Sequence, residues 1–192
     1  MNRRQLLEGA LVHAGEALLV PGLVAPLLGL PLKANALGGT LPPLDQPAPD
    51  FCLPGFGPDL DPSGSLSLGD LKGRWLALYF YPKDFTGGCT LEARGFQRDL
   101  EQFHRLDAQV VGVSADDVAD HASFCDSEGL VFPLLSDPGG AVSQRYGSWI
   151  APFSQRHTFL IDPNGVLRAR WVAVRPQGHS REVLDELSRL QA

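Results

Sequence analysis

The sequence predicts an α/β sandwich, in which helices flank a mixed central sheet. Three observations lead to this prediction. Short apolar strand patterns alternate with helical patterns through the middle of the chain, which is typical of a sheet covered by helices. Near the end, two strand patterns flank Pro163-Asn164-Gly165, a turn sequence that favours an antiparallel hairpin. An amphipathic helical pattern at 178–190 then closes the chain.

The size and charge of the chain limit the possible functions. Its 192 residues suit one well-packed domain plus an extension. The formal net charge is −6, of which residues 1–36 contribute +1, so the remainder carries −7. This acidic body has no basic stripe, which argues against nucleic acid as a partner.

Residues 1–36 are predicted to be an export signal. Arg3-Arg4 resembles the start of a twin-arginine signal, an apolar stretch follows at 11–30, and Ala34-Asn35-Ala36 fits a small-x-small cleavage site. Prolines and charged residues interrupt the apolar stretch, which disfavours the alternative of a membrane-spanning anchor. The mature protein would then start near Leu37, in the periplasm or a compartment like the thylakoid lumen. Without use of the signal, the protein would be cytoplasmic.

The chain then continues through a Pro/Gly-rich linker at 37–49 into a domain at 50–192. The domain begins with a short strand at 50–57, and the segment 64–68 alternates like its hairpin mate. The segment 75–81 is continuously apolar and aromatic. Such a run predicts a strand that is buried on both faces of the sheet.

A loop and a long helix follow this central strand. Pro82 ends the strand, because proline has no N–H to donate to a ladder. A helical pattern runs from Cys89 to about Asp107. Thr86 is placed to be its N-cap, so that Gly87-Gly88 and Cys89 would be the first helical residues.

The remaining elements continue the alternation of strands and helices. They are a buried strand at 109–114, a helix at 116–128, a short strand at 130–135, a helix at 140–146, and the hairpin strands at 156–162 and 166–174. In the helix at 116–128, one face is predicted to carry Val118, Ala122, Cys125 and Gly129.

Cys89 therefore lies where a strand ends and a helix begins. Unpaired N–H groups and the positive end of the helix dipole favour an anion there, so the thiolate is preferred over the thiol. Full conversion to the thiolate would increase the amount of nucleophile at neutral pH by only about thirtyfold. Enzymes commonly accelerate reactions about a million-fold or more, so other groups must stabilise the transition state. The alternative is an inert, buried cysteine.

The spacing Pro82-x-x-x-Thr86-x-x-Cys89 resembles the peroxidatic loop of peroxiredoxins. The longer string YPKDFTGGCTLEA is similar to the Q-type, or bacterioferritin-comigratory, subfamily, and the similarity extends over roughly residues 46–190. The resemblance implies a thioredoxin-like fold with a peroxiredoxin-type N-terminal hairpin. It also implies a thiol-dependent peroxidase, in which Cys89 attacks a hydroperoxide and becomes a sulfenic acid that a thioredoxin-like dithiol finally reduces. This chemistry needs no metal or organic cofactor.

The resemblance also implies roles for the residues around Cys89. Thr86 would contact the sulfur and the peroxide oxygen, and Pro82 would shield the thiolate. Arg156 would face the sulfur with a planar, always-charged fork. Glu92, one turn after Cys89, would fix the helix start or a neighbouring arginine. The other candidates for the role of Arg156 are Arg94, Arg98 and Arg145.

The chain departs from the subfamily at two positions. Gly87 stands where the family usually has proline, which is expected to loosen the loop. Arg94 stands where many Q-type members carry the resolving cysteine. Cys125 is then favoured as the resolver, as in some Q-type peroxiredoxins, against the alternative of a core cysteine. Cys52 is expected to be structural, with resolution by Cys52 as the alternative.

Two other function classes stay open at this point. A thiol–disulfide oxidoreductase is disfavoured because the chain has no CxxC motif. A non-catalytic thioredoxin-fold module with a structural disulfide would leave Cys89 unreactive towards hydrogen peroxide. We expect a monomer, with a dimer as the alternative, and membrane contact only through an uncleaved N-terminal segment. The sequence does not identify the preferred peroxide or the reductant.

Overall fold

The structure is a computed structural model, and it describes Asn35–Ala36 and residues 38–61 and 63–192. The predicted export signal lies outside the described residues except for Asn35–Ala36, and it stays a prediction. None of the helices in the described ranges is long and apolar enough to cross a membrane.

Eleven strands and four helices make up the described chain. The strands are β1 (Asn35–Ala36), β2 (Gly39–Thr40), β3 (Cys52–Phe56), β4 (Ser65–Ser67), β5 (Trp75–Phe80), β6 (Ala108–Ser114), β7 (Leu134–Ser136), β8 (Trp149–Ile150), β9 (Phe153–Ser154), β10 (His157–Ile161) and β11 (Leu167–Trp171). The helices are α1 (Gly87–Arg105), α2 (Val118–Glu128), α3 (Ala141–Arg145) and α4 (His179–Gln191).

Seven of the strands form one mixed sheet in the order β11-β10-β5-β6-β7-β3-β4. The central strand β5 pairs parallel with β6 and antiparallel with β10, and β6 pairs parallel with β7. The other neighbours, including the predicted hairpins β3–β4 and β10–β11, are antiparallel. The predicted mixed sheet with flanking helices is therefore confirmed.

Two hydrophobic clusters cover the two faces of this sheet. One contains buried side chains of α1, α2 and α4, and it includes Ala77 and Tyr79 of β5. The other contains Leu78 and Phe80 of the same strand, together with α3 and the N-terminal hairpin. Successive side chains of β5 thus enter opposite clusters, because side chains alternate along a strand. The prediction that this strand is buried on both faces is confirmed.

The segment 38–49, predicted to be a linker, follows a fixed course along the edge strand β11. The amide of Asp45 donates to the carbonyl of Leu167 at 2.8 Å, and the amide of Leu167 donates to the carbonyl of Gln46 at 3.0 Å. Leu41 and Ala48 are buried in the second cluster. The proline-rich segment 38–49 is therefore an extended part of the domain that packs against it.

Helix α2 buries a different face from the predicted one. Its buried residues are His121, Phe124 and Cys125, whereas Val118 and Ala122 are half-buried. The prediction followed apolar side chains and placed Cys125 correctly, but it overlooked His121. A histidine is tolerated on this buried face because Asp84 supplies a hydrogen-bonding partner.

Two further elements differ from the prediction. The strand predicted at 130–135 is β7, which begins only at Leu134, because Leu130 still donates to the α2 carbonyl of Cys125 and Pro133 has no N–H. The hairpin β8–β9 was not predicted. Each of its strands has two residues, which is too short to show a periodicity.

Candidate active site

The loop between β5 and α1 places Cys89 in the first turn of the helix. Thr86 has an extended backbone and is the N-cap, and α1 begins at Gly87, as predicted. Cys89 is only 1% exposed. The residues that precede it, Phe85, Thr86 and Gly87, are exposed. The sulfur thus lies at the positive end of a helix, a few residues after an exposed stretch of the chain.

The Thr86 hydroxyl is engaged inside this loop. Its Oγ1 donates to the carbonyl oxygen of Lys83 at 2.9 Å, and it makes no side-chain capping hydrogen bond to α1. Since the hydroxyl proton is already used, the remaining lone pairs of Oγ1 can only accept. Thr86 is therefore suited to receive a hydrogen bond from a protonated ligand. Pro82 is half-buried and follows β5 by one residue.

Arg156 reaches the Cys89 sulfur. Its Nη2 donates to Sγ at 3.3 Å, while its Nη1 donates to Oε2 of Glu92. The register of the sheet explains this meeting, because His157 at the start of β10 pairs with Phe80 at the end of β5. Arg156 consequently lies level with the start of the loop that carries Cys89. One guanidinium thus contacts two residues that are one helical turn apart.

Gly88 leaves room for this approach. A Cβ atom at position 88 would lie 3.1 Å from Nη2 of Arg156, which is tighter than ordinary van der Waals contact. A side chain at this position would therefore press on the nitrogen that donates to Cys89. Gly87 has no such neighbour within 4 Å, so its lack of a side chain is not needed for packing.

The competing arginines are engaged elsewhere. Arg94 pairs with Glu128 at 2.5 Å, and Arg98 pairs with Asp99 at 2.7 Å. Arg145 lies in α3, which packs in the opposite cluster from Cys89. Of the four candidate arginines, Arg156 is the one that contacts the sulfur.

Glu92 is a buried carboxyl group held by Arg156. Burial raises the pKa of Glu92 to about 7, although the charge and hydrogen bond of Arg156 act to lower it. Burial acts to lower the pKa of Arg156 as well. The interactions of the guanidinium with Glu92 and Cys89 outweigh this effect and raise the pKa of Arg156 above its ordinary value. The guanidinium is therefore charged at every physiological pH.

Because burial raises the pKa of Glu92, we expect the stability of the protein to depend on pH. The pKa of Glu92 is about 7 in the folded state against 4.5 ordinarily, so the folded state holds the proton more tightly. Its contribution to the unfolding free energy is fully present below pH 4.5, and up to about 3 kcal/mol is lost as the pH rises through 7. We expect Glu92→Gln to lack this loss. Urea unfolding of both proteins at several pH values measures it, and a pH-independent difference between them would contradict the assignment.

Cys125 lies in the same hydrophobic cluster as Cys89 and is 3% exposed. Burial, with the nearby charges of Asp84 and Asp126, raises the pKa of Cys125 to about 12. All three cysteines are free thiols, and Cys52 is exposed on β3. Cys125 in this position is a weak nucleophile, because the thiolate is the reactive form.

A buried polar cluster beside the site was not predicted. Tyr81 donates to Oδ1 of Asp84 at 2.7 Å, and Nδ1 of His121 lies 2.8 Å from Oδ2 of the same carboxylate. All three residues are buried. The sequence offers one weak signal, namely that His121 precedes Cys125 by one helical turn. Asp84 by itself is indistinguishable from an ordinary loop residue.

Comparisons with known proteins identify the family. The AhpC/TSA family matches residues 44–170. Peroxiredoxin Bcp of Bacillus subtilis is 37% identical over 152 residues, which cover 75% of this chain and 94% of the relative. This chain is a peroxiredoxin of the AhpC/TSA family. It is accordingly an enzyme, a thiol peroxidase, and the two alternative function classes are set aside.

Two further similarities agree with this assignment. The Xanthomonas campestris bacterioferritin comigratory protein, solved in a study of its alkyl peroxide reduction activity, matches with a TM-score of 0.68 and 31% identity, over 74% of this chain and 92% of that one. The mitochondrial thioredoxin-dependent peroxide reductase of Drosophila melanogaster is 36% identical over 156 residues, or 77% of this chain and 64% of the relative. The roles of individual residues in this peroxiredoxin stay predictions.

Proposed function

We propose that this peroxiredoxin reduces hydrogen peroxide and organic hydroperoxides at Cys89, forms a disulfide between Cys89 and Cys125, and is recycled by a thioredoxin-like dithiol. The observation that carries the proposal is the 3.3 Å hydrogen bond from Arg156 to the sulfur of Cys89, within the first turn of α1. The positive end of the helix dipole and the guanidinium are both placed to stabilise negative charge that lies on the sulfur during the reaction.

In the first step, the Cys89 thiolate attacks one oxygen of the hydroperoxide. The S–O bond forms while the O–O bond breaks, and sulfur is oxidised to a sulfenic acid. The other oxygen takes up a proton and leaves as water or an alcohol. Negative charge moves from sulfur to the leaving oxygen, and Arg156 stabilises it along this path. Thr86 orients the peroxide by accepting a hydrogen bond from its O–H group. It acts as an acceptor because its own hydroxyl proton is donated to the backbone carbonyl oxygen of Lys83.

In the second step, Cys125 attacks the sulfenic sulfur. The S–S bond forms, and the hydroxyl group leaves as water with the proton of Cys125. Both cysteines are buried inside helices, and a disulfide needs Cα atoms within about 7 Å. Resolution therefore requires local unwinding at Cys89 and at α2. An external dithiol then supplies two electrons and two protons, which regenerates both thiols.

The accessible loop supports entry of the substrate from one side. Phe85 is 56% exposed and has a positive φ of 59°, and it lies between the buried Asp84 and the N-cap Thr86. A residue in this backbone region is strained unless its neighbours hold it. We propose that the hydroperoxide approaches Cys89 past this exposed residue.

Turnover with thioredoxin, thioredoxin reductase and NADPH tests the proposed function. The names of the Xanthomonas and Drosophila relatives favour an alkyl hydroperoxide as one substrate and thioredoxin as the reductant. We expect NADPH consumption with both hydrogen peroxide and cumene hydroperoxide. Absence of turnover, although dithiothreitol supports it, would contradict the thioredoxin-type reductant. Light scattering on the same sample is expected to give a monomer, and a dimer mass would contradict that.

The N-terminal segment is proposed to direct export, with cleavage after Ala36. The carbonyl of Gly38 accepts a hydrogen bond from the amide of Trp149 at 3.0 Å, so cleavage would preserve this contact with the domain. Among the residues that the structure describes, it would remove the pairing of β1 with β2. N-terminal sequencing of protein from the exported fraction should give a start near Leu37. Recovery of intact Met1 from that fraction would contradict cleavage.

A further inference from the structure

We propose that Asp84 and His121 form a buried latch between the Cys89 loop (residues 82–88) and helix α2, and that opening of this latch sets the rate at which Cys125 reaches Cys89. This inference rests on the resolving role proposed for Cys125. It assigns a positioning function to two residues that do not touch the reacting sulfur of Cys89.

The latch consists of hydrogen bonds to one fully buried carboxylate. Oδ1 of Asp84 accepts a hydrogen bond from the hydroxyl group of Tyr81, and Oδ2 of Asp84 lies 2.8 Å from Nδ1 of His121. The side chains of Asp84 and His121 are 1% and 0% exposed. The amide of Asp84 also donates to Asp116, just before α2, at 2.9 Å. The loop is thus bound to the start of α2 through both its backbone and its side chain.

The positions of the two residues connect the latch to both cysteines. Asp84 precedes Cys89 in the loop that must unwind when Cys89 leaves its pocket. His121 lies four residues before Cys125, so the two side chains project from the same side of α2. Cys125 cannot leave its buried place by unwinding of α2 while His121 stays bonded to Asp84. Opening the bond is therefore a step on the path to the disulfide.

Other contacts between the two regions are weaker candidates for this control. The rings of Phe85 and Phe124 meet edge-on with centroids 5.1 Å apart, but Phe85 is largely exposed. The ion pair of Arg94 with Glu128 also joins α1 to α2, and the Arg94 side chain is 64% exposed. Exposed ion pairs contribute little, whereas a buried hydrogen bond to a carboxylate is strong. Asp84 and His121 therefore dominate the connection.

The latch has a chemical consequence for the sulfenic acid. While it is closed, the Cys89 sulfenic acid stays beside Arg156 and cannot meet Cys125. A second hydroperoxide can then transfer an oxygen to the same sulfur, giving a sulfinic acid and a second molecule of water or alcohol. A tighter latch slows resolution and increases this loss, and a looser latch does the opposite.

Two substitutions at position 121 test the inference. His121→Leu removes the hydrogen-bond donor and keeps an apolar side chain, whereas His121→Asn retains an amide N–H close to the place of Nδ1. Rapid mixing with hydrogen peroxide, acid quench and intact mass separate sulfenic acid formation from disulfide formation. We expect His121→Leu to accelerate disulfide formation about tenfold or more, and His121→Asn to stay within about threefold of the wild type. Sulfenic acid formation should stay within about threefold in both.

Further variants keep the test decisive. Arg94→Ala, which breaks the exposed ion pair, should leave both steps unchanged. If His121→Leu does not fold, Asp84→Asn replaces it, because the amide keeps the shape and loses the charge. An unchanged or slower disulfide step in His121→Leu, or in Asp84→Asn where it replaces His121→Leu, would overturn the latch, as would equal rates in His121→Leu and His121→Asn. Fast disulfide formation in Cys125→Ser would instead refute the resolving role on which the latch rests.

Discussion

Replacement of Cys89 by serine is expected to abolish peroxide turnover, with a loss of about a thousandfold or more. Serine occupies nearly the same space at the start of α1, but its oxygen is not oxidised by a hydroperoxide. The contact with Arg156 and the buried surroundings of residue 89 remain. The loss would therefore report on the sulfur itself rather than on a disturbed fold. Steady-state NADPH consumption with thioredoxin measures it.

Cys52→Ser is the matched control for this loss. Cys52 is exposed on β3, which the strands β6 and β7 separate from β5 in the sheet. We expect turnover within about twofold of the wild type, because the proposed reaction takes place between Cys89 and Cys125 and does not use the exposed thiol of Cys52. Equal loss in Cys52→Ser and Cys89→Ser would contradict a reaction centred on Cys89.

Arg156→Lys is expected to slow oxidation of Cys89 at least about tenfold, which corresponds to about 1.4 kcal/mol of transition-state stabilisation. The guanidinium uses one nitrogen for the sulfur of Cys89 and another for the carboxylate of Glu92. A lysine ammonium retains the charge, but it is a compact group that cannot reproduce this planar, two-sided arrangement. Single-turnover oxidation, followed by rapid mixing and intact mass, isolates the step from resolution.

Arg94→Lys provides the control for the arginine. Arg94 lies on the same helix as Cys89, but it pairs with Glu128 and has a largely exposed side chain. This substitution should change the oxidation rate by less than about twofold. If Arg156→Lys reacted as fast as Arg94→Lys, the guanidinium would have no part in the chemical step.

The local part of the site could be predicted from sequence because it depends on neighbours in the chain. Pro82, Thr86 and the two glycines define the end of β5 and the start of α1 without any distant contact. The role of Arg156 could be predicted only from the resemblance to peroxiredoxins, because its contact with Cys89 depends on the antiparallel pairing of β10 with β5. No periodicity in the chain specifies that register.

The contacts of Asp84 and His121 could not be predicted for a related reason. A loop aspartate and a helical histidine are ordinarily solvated, and their burial follows from their pairing across the fold. The buried face of α2 was predicted wrongly for the same reason. The prediction followed apolar side chains and therefore left out His121. Composition likewise indicated a linker at 37–49 but gave no sign of the hydrogen bonds that its described residues make along β11.

Intact mass after one equivalent of hydrogen peroxide shows whether Cys89 is the thiol that reacts and whether Cys125 resolves it. We expect the wild type to lose two hydrogens as a disulfide forms, Cys125→Ser to gain oxygen as a sulfenic or higher acid, and Cys89→Ser to keep its mass. A Cys89→Ser protein that still gains oxygen or loses two hydrogens would contradict this role of Cys89, as would a wild type that does not react.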